Sequence, residues 1–212
     1  MMLVGCGSSN AEASPLHAVA HEELCVTKGG IAGGTITDPT VRAFARGTAG
    51  DAAQLSFKYV GDSEGERALE SGEMRRQVGI KLRAADSCNV VYVMWRISPK
   101  PGLAVQVKSN PGMHRHEECG ASGYIKVKPS AKLAVPLLET GSAHVLRAEI
   151  RGDELLAWID GQLAWQGRLP DEAHAFTGPA GLRTDNVRLE GVELHAPRGG
   201  GPALECKKHE GD

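Results

Sequence analysis

The feature that most constrains this chain is a two-residue alternation of apolar and polar side chains, repeated along most of its length and broken by glycine and proline. Successive side chains on a strand point to opposite faces, so this pattern marks strands with one face in a core and the other in water. Val41–Arg42–Ala43–Phe44–Ala45–Arg46 reads this way, as does Gln54–Leu55–Ser56–Phe57–Lys58–Tyr59. In Gln77–Val78–Gly79–Ile80–Lys81–Leu82–Arg83 the apolar face is Val78, Ile80 and Leu82. The stretch from Val90 to Ile97 is apolar on both faces and rich in β-branched and aromatic types, as in a more buried strand. Ser98–Pro99–Lys100–Pro101–Gly102 interrupts it and Leu103 to Lys108 returns, which predicts a hairpin with a five-residue loop.

The second half repeats the pattern. His144 to Ile150 alternates, Gly152–Asp153 turns, and Leu155 to Ile159 follows. Asp160–Gly161 is a two-residue hairpin signal, because both central positions of a type I′ turn need positive φ. Gln162 to Gln166 closes that hairpin, and Gly181–Leu182–Arg183 and Val187 to Leu194 read as the last strands. The only helical signal is a single turn expected within Glu64–Glu73. Strands at this spacing without βαβ alternation predict an all-β, antiparallel β-sandwich. At 212 residues one domain suffices, and we expect residues 21–212 to form it behind a flexible tether of residues 1–20. The formal charge of −2 gives no electrostatic footprint for nucleic acid, which is not expected as a partner.

Residues 35–196 resemble the concanavalin A-like jelly rolls, in particular their laminin-G-like and keto-disaccharide-hydrolase-like branches. The resemblance rests on His144–Ile150, Asp160–Gly161, Gly181–Leu182–Arg183 and Val187–Val192, and on Gly79–Asp86 leading into Asn89–Val93. It implies a jelly-roll sandwich with a glycan or cell-envelope component on its concave sheet. Calcium is common in this superfamily; Asp185–Asn186 and Asp62–Ser63–Glu64 are the candidates by residue type. Four body cysteines permit three connectivities. The topology implied by the resemblance favours Cys25 with Cys206, at adjacent termini, and Cys88 with Cys119, at one edge of the hairpin.

The fifth cysteine lies in Leu3–Val4–Gly5–Cys6, followed by Gly7, Ser8 and Ser9, and resembles a bacterial lipobox. The resemblance implies diacylglycerol on Cys6 and membrane attachment in the bacterial envelope. Gly7, in place of an inner-membrane retention aspartate, implies the outer membrane or periplasm. Only five residues precede Cys6, so a signal peptide, with about 7–15 apolar residues, would require a start upstream of Met1. The alternative is an incidental thiol on an N-terminal tail.

Candidate chemistry is sparse. His114 and His116, on one face if extended, are candidate metal ligands lacking a third partner. Glu73, Arg75, Arg76, Gln77, Lys81 and Arg83 form a polar cluster, with Arg75 and Lys81 expected to face solvent. Gln77–Val78–Gly79 places glycine where jelly-roll alginate lyases carry a catalytic histidine. No Glu-x-Asp-x-x-Glu run supplies the paired carboxylates of laminarinase-type hydrolases. Trp95 belongs to the core, whereas Trp165, across the Asp160–Gly161 turn from Trp158, is a candidate outer-face sugar contact. We therefore expect a non-catalytic glycan- or envelope-binding lipoprotein, with Trp165, Arg75, Arg83 and Tyr92 as ligand contacts and no catalytic set. A diverged glycoside hydrolase or polysaccharide lyase and a structural envelope lipoprotein are the alternatives.

Overall fold

The structure, a computed structural model, describes residues 15–199 together with residue 206. Cys6 and its lipobox lie outside the described residues. The strands in chain order begin with β1 (His17–Ala18), β2 (Leu24–Lys28), β3 (Thr40–Ala45), β4 (Ala52–Asp62) and β5 (Arg76–Leu82). The central hairpin and its edge follow as β6 (Val90–Ser98), β7 (Gly102–Lys108), β8 (Tyr124–Lys126) and β9 (Ala131–Lys132). The last five are β10 (Ala143–Arg151), β11 (Glu154–Ile159), β12 (Gln162–Arg168), β13 (Gly181–Asp185) and β14 (Val187–Ala196). They form two antiparallel seven-stranded sheets, ordered β1-β14-β4-β10-β11-β12-β9 and β2-β3-β13-β5-β6-β7-β8. The fold is an all-β antiparallel sandwich, as expected from the alternation.

The alternation sets the core. Leu55 and Phe57 of β4 and Leu146 and Ala148 of β10 meet Val78, Ile80 and Leu82 of β5 and Val91, Val93 and Trp95 of β6, all buried. Phe57 meets Trp95 edge to face, with ring centroids 6.1 Å apart. The Asp160–Gly161 turn has φ of 50° and 79°, as the two-residue hairpin requires. The β6–β7 hairpin forms, with Arg96 and Gly102 its last paired residues and five residues, 97–101, between them.

Glu64–Glu73 contains no helix and forms a loop with a hydrogen-bonded turn between Leu69 and Gly72. A helical turn lies instead at α1 (His116–Cys119). Both disulfides pair as the resemblance implied, Cys25 with Cys206 and Cys88 with Cys119.

Candidate functional site

The outer face of the second sheet forms the floor of a groove of about 1460 Å³. Because β-pairing is in register, its floor can be read as rows crossing the strands. One row runs Arg42, Arg183, Gly79, Met94 across β3, β13, β5 and β6. The next runs Phe44, Gly181, Lys81, Tyr92, Gln106 across β3 to β7. On the other side of the first row, Asp185, Gln77 and Arg96 are consecutive partners. Two positions lack side chains because backbones approach too closely. A Cβ on Gly79 would lie 2.3 Å from the Val93 carbonyl oxygen, and one on Gly181 would lie 2.3 Å from that of Ala43. These glycines leave low ground beside Arg183 and Lys81.

Two loops wall the groove. Residues 63–75 are pinned by Asn186, which accepts from the Arg67 amide at 2.8 Å and donates to the Arg67 and Arg75 carbonyls at 2.8 and 3.0 Å. Residues 109–123 are tied to the start of β6 by the Cys88–Cys119 bridge. Lys108, buried at the base of that wall, donates to the Ser87 and Gly120 carbonyls at 3.2 and 2.7 Å. The walls meet where His116 Nε2 lies 3.3 Å from Glu70 Oε2.

The floor is dominated by cations. Asp185, 1% exposed, accepts at Oδ1 from Arg42 at 2.5 Å, and at Oδ2 from Arg183 at 3.0 Å and Gln77 at 2.6 Å. Burial opposes ionisation of Asp185, but Arg183 and Arg42 outweigh it and hold the carboxyl below its usual range. Burial also works against the Arg183 charge, yet Asp185 and Tyr92 raise its pKa on balance. Lys81 is 7% exposed and has no hydrogen-bond or ion-pair partner among the described residues. Burial first, then Arg42 and Arg183, push its ammonium down to about 7. An aromatic pair lies alongside: the Tyr92 and Tyr124 rings stack at 6.2 Å, with Arg183 5.0 Å from the Tyr92 centroid and Lys108 5.3 Å from that of Tyr124. Burial raises the Tyr92 pKa, so its hydroxyl stays protonated.

Of the residues singled out in the sequence, Tyr92 and Arg75 line this groove, Arg75 with its guanidinium against Glu73. Lys81, expected toward solvent, is instead sunk in the floor. Arg83 is a correction: its φ of 46° turns it off the strand, and it binds Asp51 and the Ala173 carbonyl away from the groove. Trp165 is another. A bulge at Ala157/Trp158 offsets the register, so Trp165 pairs with buried Ala157 and is itself 2% exposed in the core. Trp158 faces outward instead, under Arg147 and Arg151.

His114 and His116 do not share a strand face. They lie in the wall, His114 Nδ1 2.8 Å from Asp86 and His116 near Glu70. No group of three metal-ligating side chains occurs among the described residues. Of the calcium candidates, Asp185 is engaged by two arginines and Asn186 by the wall loop. Arg42, Arg183, Lys108 and Tyr124 were not singled out, though each is a polar or amphipathic position in a strand. Which sheet is grooved, and which strands neighbour β5, is what their sequence lacks.

No protein-family model matches the chain, and no curated protein matches it. Solved structures superpose on much of its length. A carbohydrate-binding module, CBM66 from Bacillus subtilis, superposes with a TM-score of 0.55 at 12% identity, covering 82% of this chain and 96% of that one. The Crh5 transglycosylase gives 0.47 at 13% identity, covering 88% of this chain and 85% of its own. The galectin LEC-6 of Caenorhabditis elegans gives 0.44 at 9% identity, covering 84% and 99%. At these identities the likeness is one of fold.

Proposed function

We propose that this protein binds a glycan in the groove on its second sheet. The observation that carries the reading is the stacked Tyr92–Tyr124 pair set directly beside a floor of hydrogen-bonding side chains. Sugar rings present an apolar face and a rim of hydroxyls. A site with a few aromatic surfaces and fixed polar groups matches both. The fold shared with a module named for carbohydrate binding supports the same reading. A panel of immobilised oligosaccharides tests it. Tyr124, 38% exposed at the groove, is the aromatic to remove. Tyr124→Ala should weaken binding about fivefold, an aromatic contact being worth on the order of 1 kcal/mol, without moving the unfolding midpoint by more than a few tenths of a molar in urea. Equal binding by parent and variant, or a blank panel, refutes the assignment.

A second reading, a diverged carbohydrate-active enzyme, is favoured by one observation. The Lys81 amine, pushed down to about 7 beside a protonated Tyr92, pairs a base with an acid across adjacent strands. Release of reducing ends from any bound oligosaccharide, lost in Lys81→Met, would establish it.

We further propose attachment to the bacterial envelope through a lipidated Cys6. Two cystines elsewhere in the chain support an oxidising compartment. Cys6→Ser should shift the protein from the membrane fraction to the soluble fraction; an unchanged distribution counts against the anchor.

A further inference from the structure

The groove floor carries more positive charge than it neutralises internally. Arg42 and Arg183 are directly paired across β3 and β13, and Lys81 lies one row away on β5, reached past the bare Gly181. One buried carboxylate, Asp185, serves both guanidiniums, and both its oxygens are engaged. Two guanidiniums against one carboxylate leave one unit of positive charge on the floor, and protonation of Lys81 adds a second. Arg42 is further committed, its other terminal nitrogen donating to the Val41 and Thr184 carbonyls at 2.9 and 2.7 Å. Lys81 commits none of its three donors among the described residues. A buried ammonium beside two guanidiniums is unfavourable in isolation, and an anion seated over it converts that repulsion into charge-assisted hydrogen bonds.

Resting on the glycan reading above, we propose that the ligand is an anionic sugar whose carboxylate or sulfate seats on Lys81 and Arg183, with Arg42 behind them and the sugar ring against Tyr92. The low ground left by Gly79 and Gly181 admits such a group to the floor, where any Cβ would collide with neighbouring backbone. The charged and titratable side chains facing Lys81 are Arg42 of β3, Arg183 of β13 and Tyr92 of β6. None of these supplies a negative charge at neutral pH. An incoming anion therefore restores the Lys81 proton that burial and the two arginines expel, and binding takes up protons.

The test is titration calorimetry of the full chain at pH 7.5 with three oligosaccharide series of equal length: polyuronate, sulfated neutral sugar and neutral sugar. Repeating each in two buffers of different ionisation enthalpy gives the protons taken up. We expect an anionic series to bind at least about tenfold more tightly than the neutral one, the increment of one charge-assisted contact, with fractional proton uptake that Lys81→Met removes along with the preference. Tight binding by polyuronate alone identifies the carboxylate, and by the sulfated series alone the sulfate ester. Equal binding by neutral sugars, or uptake unchanged in Lys81→Met, overturns this inference and leaves the glycan reading standing. If no series binds, both fall.

Discussion

At the scale of the residue, Lys81 sets the behaviour of the groove. An extended strand reading assigns a lysine between Ile80 and Leu82 to the solvent face, and the side chain is indeed on the opposite face from the core. The alternation therefore showed its direction but not its surroundings. Being outward from the sheet is not being in water when two loops and two arginine-bearing strands rise around it. The consequence for stability has a definite sign. The folded-state pKa, about 7, lies below the ordinary lysine value of 10.5, so the unfolded chain holds more protons between those two pH values. Stability contributed by this group therefore rises with pH across that interval, and its penalty is fully present below pH 7. Lys81→Met removes the penalty while keeping the length of the side chain. The variant should exceed the parent by a few kcal/mol at pH 6, at about 1.4 kcal/mol per pKa unit, and the gap should close toward pH 10. Urea unfolding at the two pH values measures it. A constant gap would show that packing, not charge, separates the two proteins.

At the scale of the element, glycines show how much a strand's neighbours decide. Gly79 lies inside an alternating run and Gly161 in the turn beside one. Gly161 has φ of 79° with nothing within 4 Å of where a Cβ would stand, so an alanine there meets only the conformational penalty of about 1 kcal/mol. Gly79 has no positive φ, but its Cβ would meet the Val93 carbonyl oxygen at 2.3 Å and Met94 Sδ at 2.6 Å, so the β5–β6 pairing itself must shift. Gly79→Ala should therefore cost about 2–3 kcal/mol, the range of an overpacked site, and Gly161→Ala clearly less. Their urea midpoints in parallel decide it; equal losses would mean that β6 yields at that point. The same dependence on neighbours explains where sequence reading ended. Asp160–Gly161 was legible because turn chemistry is local. The bulge in β12 that sends Trp165 inward was not, because it is set by how β11 and β12 settle against each other.

At the scale of the molecule, alternation and turn residues determine a two-layer sandwich, and the outward polar stripes of β3, β5 and β13 become a site only when strands distant in sequence lie side by side. Arg42 and Arg183 are partners across 141 positions, a relation no local pattern carries. The two cystines act at different levels of this assembly. Cys25–Cys206 spans 181 residues and links edge strand β2 to the segment beyond β14, constraining nearly the whole unfolded chain. Cys88–Cys119 spans 31 residues and fastens one groove wall to the start of β6. In the chain-entropy account the longer loop contributes about 5 kcal/mol and the shorter about 4. Global stability alone would then barely distinguish them, but local order should. Cys25→Ser with Cys206→Ser should lower the urea midpoint while leaving amide exchange in residues 109–123 close to the parent's under native conditions. Cys88→Ser with Cys119→Ser should accelerate exchange in that wall by at least about tenfold, since a segment released from its tether opens by local fluctuation rather than by global unfolding. The second pair of substitutions should also weaken oligosaccharide binding, because the wall carries the approach to Tyr124 and Lys108. An unchanged wall in the second variant would show that the groove is held by its hydrogen bonds to Lys108 and Asn89 and not by the sulfur bridge, and faster exchange of the wall in the first would show that it opens with the whole molecule.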